Sequence, residues 1–238
     1  MGLLQDVIGA SGGIGQWRRL QRFTVHMAID GGLLARKGRG GLLRNVVAEG
    51  DTRHQSVQIS GFTAPDKYGL YRPDRVAVEA SDGTVLVERS DPRSAFAGHN
   101  QTTPWDVLHL AYYCGCWCWN ALTAPFLFAD SDFHIEEMSP WQADGETWRR
   151  LSVEIPSRIA SHCPRQTIYI DRHSHQRRID YEAAVSGGTP IAQYSWAHQA
   201  FSGIVVPTLY RAVTVATDGA VNPSPAALEV EIFDARFE

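Results

Sequence analysis

The stretch running from Thr102 to Asp130, TTPWDVLHLAYYCGCWCWNALTAPFLFAD, constrains the chain more than any other. Its apolar residues lie on all sides of a helical projection, not on one stripe, so a helix made from it must be buried nearly all round. Thr103 can cap, Pro104 suits the first helical position, and Asp106 sits where a carboxylate favours the positive end of the helix dipole. The spacing predicts a helical plug over 103–124, weakened at Gly115 and stopped or kinked before Pro125. A membrane span needs about 20 clean apolar residues. Asp106, His109 and Asn120 interrupt this run, which favours burial inside protein.

At 238 residues the chain fits one domain over 1–238, and a hydrophobic fraction of 44% supports a sizeable core. A net charge of −4 leaves no electrostatic footprint for nucleic acid. The opening MGLLQDVIGASGGIG has no basic n-region and Asp6 interrupts its apolar residues, so the expected location is cytoplasmic. Cys114, Cys116 and Cys118 alternate within the plug. Cys114 and Cys118 are one turn apart and could touch one metal, but the spacing of a structural zinc site is missing, so they read as small packed hydrophobes and no metal is expected.

Residues 1–20 read as a helical N-terminal segment. GASGGIG looks like a dinucleotide fingerprint, but no strand precedes it and no βαβ unit surrounds it, so the glycines are a helix break. Strand rhythm follows. In FTVHMAID, Phe23, Val25, Met27 and Ile29 alternate with Thr24, His26 and Ala28. Gly31-Gly32 could bend this strand into LLARKG. RVAVEA and TVLVERS flank the turn Ser81-Asp82-Gly83 as a hairpin. After the plug, FHIEEM, TWRRLSVEIP, QTIYID, RRIDYEAAV, PIAQYSWAHQ, TLYRAVTVA and ALEVEIFDA continue the pattern. About ten strands joined by short turns favour an antiparallel meander. The expected class is α+β: a single large curved antiparallel sheet, a half barrel, wrapped around the plug, with an apolar cavity wherever the two do not touch.

The segment GASGGIGQWRRLQRFTVHMAIDGG resembles the opening of the LolA/LolB-type lipoprotein-carrier superfamily, in which a short helix with glycine and tryptophan precedes a first long strand. The later layout of many antiparallel strands with helices inside an unclosed barrel is also similar. The resemblance implies a hydrophobic ligand in the cavity. It embraces periplasmic lipid carriers and cofactor-free enzymes alike. No catalytic motif carries over residue by residue.

Candidate chemistry comes from the residues themselves. On the plug, Asp106 and His109 are spaced i,i+3, and His109 and Tyr113 i,i+4, so they can share a face. An Asp-His pair orients an imidazole and a tyrosine supplies a proton. Equally, Asp106 can be a helix cap and the other two satisfied core groups. Trp105, Tyr112, Trp117 and Asn120 would line the pocket beside them. Tyr194, Trp196 and His198 alternate on one face of their strand, as an aromatic pocket wall would, with Gln193 and Ser195 on the other. Arg178 and Asp180 share a charged face that either meets solvent or forms a buried pair. His162 precedes QTIYID and could meet the plug. The His173-x-His175 pair reads as an exposed turn.

No G-x-S-x-G elbow, P-loop or metal cluster is present, so no cofactor is expected. Two functions fit. One is a cofactor-independent lyase, isomerase or cyclase doing acid–base chemistry on a small hydrophobic, terpenoid- or polyketide-like substrate. The other is a non-catalytic carrier or binding protein for a lipid or another apolar ligand. The titratable groups within the aromatic stretch favour the enzyme. Free sheet edges would allow a homodimer.

Overall fold

The computed structural model describes residues 2–143 and 145–238. Two short helices open the chain, α1 (Leu3–Ala10) and α2 (Ile14–Trp17). Six strands follow: β1 (Arg22–Asp30), β2 (Leu43–Asp51), β3 (Val57–Ser60), β4 (Lys67–Tyr71), β5 (Arg75–Ala80) and β6 (Val85–Ser90). Between β1 and β2 lies α3 (Gly32–Arg36). LLARKG is therefore helical and not a bent strand. Gly31, at φ 137°, takes the turn that ends β1, and a Cβ there would meet the Ala227 carbonyl oxygen at 2.6 Å.

The central helix α4 spans Val107–Thr123. After it come β7 (His134–Ala143), β8 (Glu146–Glu154), β9 (Arg165–Ile170), β10 (Gln176–Ala183), β11 (Thr189–Phe201), β12 (Ile204–Val215), β13 (Val221–Asn222) and β14 (Leu228–Phe237). Among the described residues, fourteen strands form one antiparallel sheet, so the expected class holds while the strand number exceeds the expected ten. The short β4 and β13 account for part of the excess, because runs of five and two residues give little periodic signal.

The sheet order is β6-β5-β4-β3-β2-β1-β14-β12-β11-β10-β9-β8-β7, with β13 on β12. The chain thus leaves the sheet at one edge, β6, passes through α4, and re-enters at the opposite edge, β7. The last strand, β14, joins the two halves by pairing with β1 from Phe23↔Phe237 to Asp30↔Glu229 and with β12 from Leu209↔Glu231 to Ala212↔Leu228. The alternation read in β1 is the observed one: Phe23, Val25, Met27 and Ile29 face the core.

All but three of the 17 residues of α4 are buried, as their all-round apolarity requires. The helix begins later than expected. Its N-cap is Asp106, not Thr103: the Asp106 carboxylate accepts from the main-chain N–H of Leu108 at 3.0 Å and of His109 at 2.9 Å. Thr103 instead donates its N–H to the Asn100 side chain, in a loop that precedes the helix. One side of α4 packs on β3, β4, β5 and β6. Gly115 permits that approach, since a Cβ there would lie 2.2 Å from Cβ of Tyr71.

Candidate functional site

With one side of α4 committed to the N-terminal half of the sheet, the space that remains lies between its other side and strands β9–β12. A chamber of about 70 Å³ occupies this position. Trp117, Asn120 and Ala121 line it from α4; Ser161, His162 and Cys163 from the β8–β9 connection; Gln166, Ile179, Tyr181, Gln193 and Tyr210 from the strands. None of its lining residues is Asp, Glu, Lys or Arg. A second chamber of about 20 Å³ shares His162 and Tyr181 with the first and adds Tyr113. An open groove of about 690 Å³ shares Cys163, Gln166 and Tyr181 with the first chamber and carries Asp180 on its wall. His162 and Tyr181 therefore stand between the two chambers, and Tyr181 borders all three spaces.

Ala160 ties the connection over the chamber both to α4 and to the turn between β2 and β3. The Ala160 carbonyl accepts from Gln55 Nε2 at 2.8 Å and from Asn120 Nδ2 at 3.0 Å, and the Ala160 N–H donates to Gln55 Oε1 at 2.7 Å. This places His162 beside the helix, where its Nε2 donates to the Tyr113 carbonyl at 2.9 Å. Burial pushes its pKa down to about 4, against the pull of that carbonyl, so the ring is neutral at pH 7. Its Nδ1 is then a bare lone pair, and that atom is buried without a partner. On the facing strands, Trp117 Nε1 donates to Gln193 Oε1 at 3.0 Å, and the Trp117 indole meets the Tyr210 ring edge-on at 5.1 Å.

The other candidates lie elsewhere. Asp106 and His109 do pair, with His109 Nδ1 2.7 Å from Oδ1, but at the N-terminus of α4, away from the chamber lining. There Arg89 reaches the same carboxylate at 2.6 Å. Burial alone would raise the Asp106 carboxyl; Arg89 and the capping N–H groups hold it well below the usual carboxylate range. His109 packs edge-on against Phe96 at 4.9 Å. Trp105 is buried against Phe96 and Tyr113, with the Lys37 ammonium 5.1 Å from its ring, and Tyr112 meets Tyr71 edge-on at 5.7 Å. Of the plug residues singled out, Trp117 and Asn120 line the main chamber and Tyr113 the smaller one.

On β11 the inward side is the reverse of the expected aromatic wall. Gln193 and Ser195 are buried, and Gln193 lines the chamber, while Tyr194 and Trp196 stack on each other, 5.8 Å apart, on the opposite face. Arg178 and Asp180 share that outer face. Arg178 grips the Asp180 carboxylate with Nε at 2.5 Å and Nη2 at 2.9 Å, and donates to the Tyr194 hydroxyl at 3.1 Å. Trp141, Tyr169 and Tyr194 each hold a ring within 5.3 Å of the guanidinium. Arg178 is thus buried on the outer face beneath these rings, with Asp180 part-exposed beside it, and Asp180 alone of this group reaches the groove. His198 follows Ala197, whose φ of 52° breaks the strand's alternation, and stacks on His175 at 4.5 Å, apart from His109 and His162.

Sequence reasoning passed over Gln166, Tyr181, Gln193 and Tyr210. For Tyr181 and Gln193 the signal was present in the alternation, which sets Tyr181 on the face opposite Arg178 and Asp180 and Gln193 opposite Tyr194. The four cysteines are free and buried, and burial pushes the Cys116 thiol up to about 12. Among the described residues no cluster of His, Cys, Asp and Glu could hold a metal ion, and no helix is long and apolar enough to cross a membrane.

No protein-family description matches the chain, and no curated protein does. Solved structures do resemble it. An outer membrane lipoprotein-sorting protein domain from Vibrio parahaemolyticus superposes with a TM-score of 0.54 at 11% identity, over 99% of this chain and 91% of that one. A LolA superfamily protein from Nitrosomonas europaea gives 0.52 at 9% identity, over 98% and 93%. A DUF1329 family protein from Desulfovibrio piger gives 0.52 at 11% identity, over 100% and 94%. The fold is therefore LolA-like, an open barrel of antiparallel strands around a central helix.

Proposed function

We propose that this protein binds a small apolar molecule between α4 and β9–β12 and does not transform it. One observation carries the reading: an uncharged interior chamber shares Cys163, Gln166 and Tyr181 with a groove open to solvent. The groove's volume of about 690 Å³ lies in the range of about 300–1,000 Å³ common for ligand sites, while the chamber admits only the end of such a molecule. The resemblance to a lipoprotein-sorting protein domain from Vibrio parahaemolyticus supports a lipid-like ligand.

Titration with the neutral apolar probe N-phenyl-1-naphthylamine tests it. Ala121→Trp, which fills the chamber from α4, should weaken binding at least tenfold. Saturable binding that the variant leaves unchanged would overturn the proposal.

Acid–base chemistry on the same ligand is a second reading, and His162 is what favours it. A base with a pKa near 4 is fully unprotonated at neutral pH but weak, so binding is the better-supported role. Conversion of a retained ligand that stops in His162→Gln would reverse that preference. A homodimer through the β6 edge belongs to the same proposal. Val85, Leu86 and Val87 stand exposed there at 44, 51 and 41%. Sedimentation of the wild type against Leu86→Lys reads it.

A further inference from the structure

We infer that the ligand presents to the chamber a neutral carbonyl group, as a ketone or an ester does, which accepts hydrogen bonds from the Gln193 amide nitrogen and the Tyr181 hydroxyl. This rests on the binding proposal above and names the chemical class that the site selects.

Gln193 is 5% exposed and lines the chamber from β11. Its orientation is fixed from behind. The Trp117 indole N–H can only donate, so the Gln193 atom that meets it at 3.0 Å is the oxygen, and Nε2 is the end left for the chamber. Nε2 donates to no protein group among the described residues. It is nonetheless not closed off from water, as the unpartnered Asn120 Oδ1, His162 Nδ1 and Tyr210 hydroxyl are. A donor of this kind, on a side chain otherwise buried, keeps a face toward the open space that its residue lines.

The Tyr181 hydroxyl has the same standing: it lacks a protein partner among the described residues and is not closed off from water. Burial pushes its pKa up, so it stays protonated and can donate. Ile179 pairs with Gln193 and Tyr181 with Ile191, which makes Gln193 and Tyr181 diagonal neighbours on the inner face of β10 and β11. Side chains of this length reach each other across such a diagonal of about 7–8 Å. Gln166 and Gln176 line the chamber as well, but no protein group fixes which end of their amides faces it, so selection falls to the other two.

A carbonyl oxygen carries two lone pairs and no proton, so it takes both donors and leaves nothing of its own unsatisfied. An alcohol brings an O–H that Gln193 Nε2 cannot accept, and a buried donor without a partner is costly. A carboxylate accepts too, but the lining offers no cation to offset the burial of its charge. At about 70 Å³ the chamber admits only the end of a ligand, which places the carbonyl near one terminus.

Displacement of bound N-phenyl-1-naphthylamine by 2-undecanone and 2-undecanol, which share one carbon skeleton, tests this. The wild type should release the probe at a ketone concentration at least threefold below that of the alcohol. Gln193→Glu keeps an oxygen for Trp117 and turns the inward donor into an acceptor, so it should move that ratio at least tenfold toward the alcohol. Tyr181→Phe breaks no side-chain hydrogen bond within the protein and should weaken the ketone at least threefold, a readout that stands even where Gln193→Glu does not fold. An alcohol that competes as well as the ketone in the wild type overturns the inference and leaves apolar binding standing. So does a ratio that Gln193→Glu leaves within threefold of the wild type, or ketone binding that Tyr181→Phe leaves unchanged. A protein that binds neither the probe nor either ligand loses both proposals.

Discussion

The His162 imidazole stacks on the Tyr113 phenol, with ring centroids 4.6 Å apart and planes 16° from parallel, and donates from Nε2 to the Tyr113 carbonyl. One residue of the central helix thereby holds both the face and the edge of the ring that divides the two chambers.

That ring makes stability depend on pH. In the unfolded chain it titrates near 6.5, and in the folded protein burial lowers it to about 4. Between those values the unfolded state binds a proton that the native state does not, so stability falls as pH falls. Above pH 6.5 both forms are neutral and nothing is lost. At about 1.36 kcal/mol per pKa unit, the full loss from His162 is about 3 kcal/mol by pH 4. His198, also lowered to about 4 by burial and by His175, adds to the slope. Urea midpoints at pH 7.0 and 4.5 should show a decline that His162→Gln reduces.

Gly115→Ala should be strongly destabilising although alanine is the better helix former. The added Cβ would lie 2.2 Å from Cβ and 2.5 Å from Cγ of Tyr71, on a strand that cannot retreat without disturbing β3 and β5. Overpacking of this kind costs about 3 kcal/mol, against about 1 kcal/mol of propensity gained. Chemical denaturation should register the net loss of about 2 kcal/mol.

Asp106→Ala should behave as the loss of a helix cap and of an Arg89 contact. The expected cost is about 1–2 kcal/mol of stability, with probe binding in the chamber unchanged, because Asp106 lines neither chamber. Loss of binding in a variant that remains folded would place Asp106 in the site after all.

Arg178→Lys keeps a positive charge but not the planar fork that meets both oxygens of Asp180 and the Tyr194 hydroxyl. It should cost about 2 kcal/mol, less than a fully buried pair would, because Asp180 is part-exposed at 27%. Thermal unfolding of Arg178→Lys against Arg178→Ala should show little rescue by lysine.

These residues also mark where sequence reasoning reached and where it stopped. The alternation on β10 and β11 separated Arg178 from Ile179 and Tyr194 from Gln193 correctly. Aromatic composition points to Tyr194 and Trp196 as the pocket wall, yet they stack on each other outside, where Tyr194 also meets Arg178. Gln193 can turn inward because Trp117, 76 positions away, supplies its donor. Asp106 was readable both as cap and as catalyst, and the local bonds of the first helical turn place it as cap.

By itself the sequence determined the elements: which runs alternate, which helix must be buried on every side, and that short turns join the strands in antiparallel order. Those properties are local, set by a period of two or 3.6 residues and by turn chemistry. Only the tertiary structure decided which sheet face is inside, that β14 lies between β1 and β12, and that α4 leans on β3–β6 and leaves its other side to the chamber. A two-residue repeat is symmetric between its faces, so the choice falls to contacts between residues far apart in the chain.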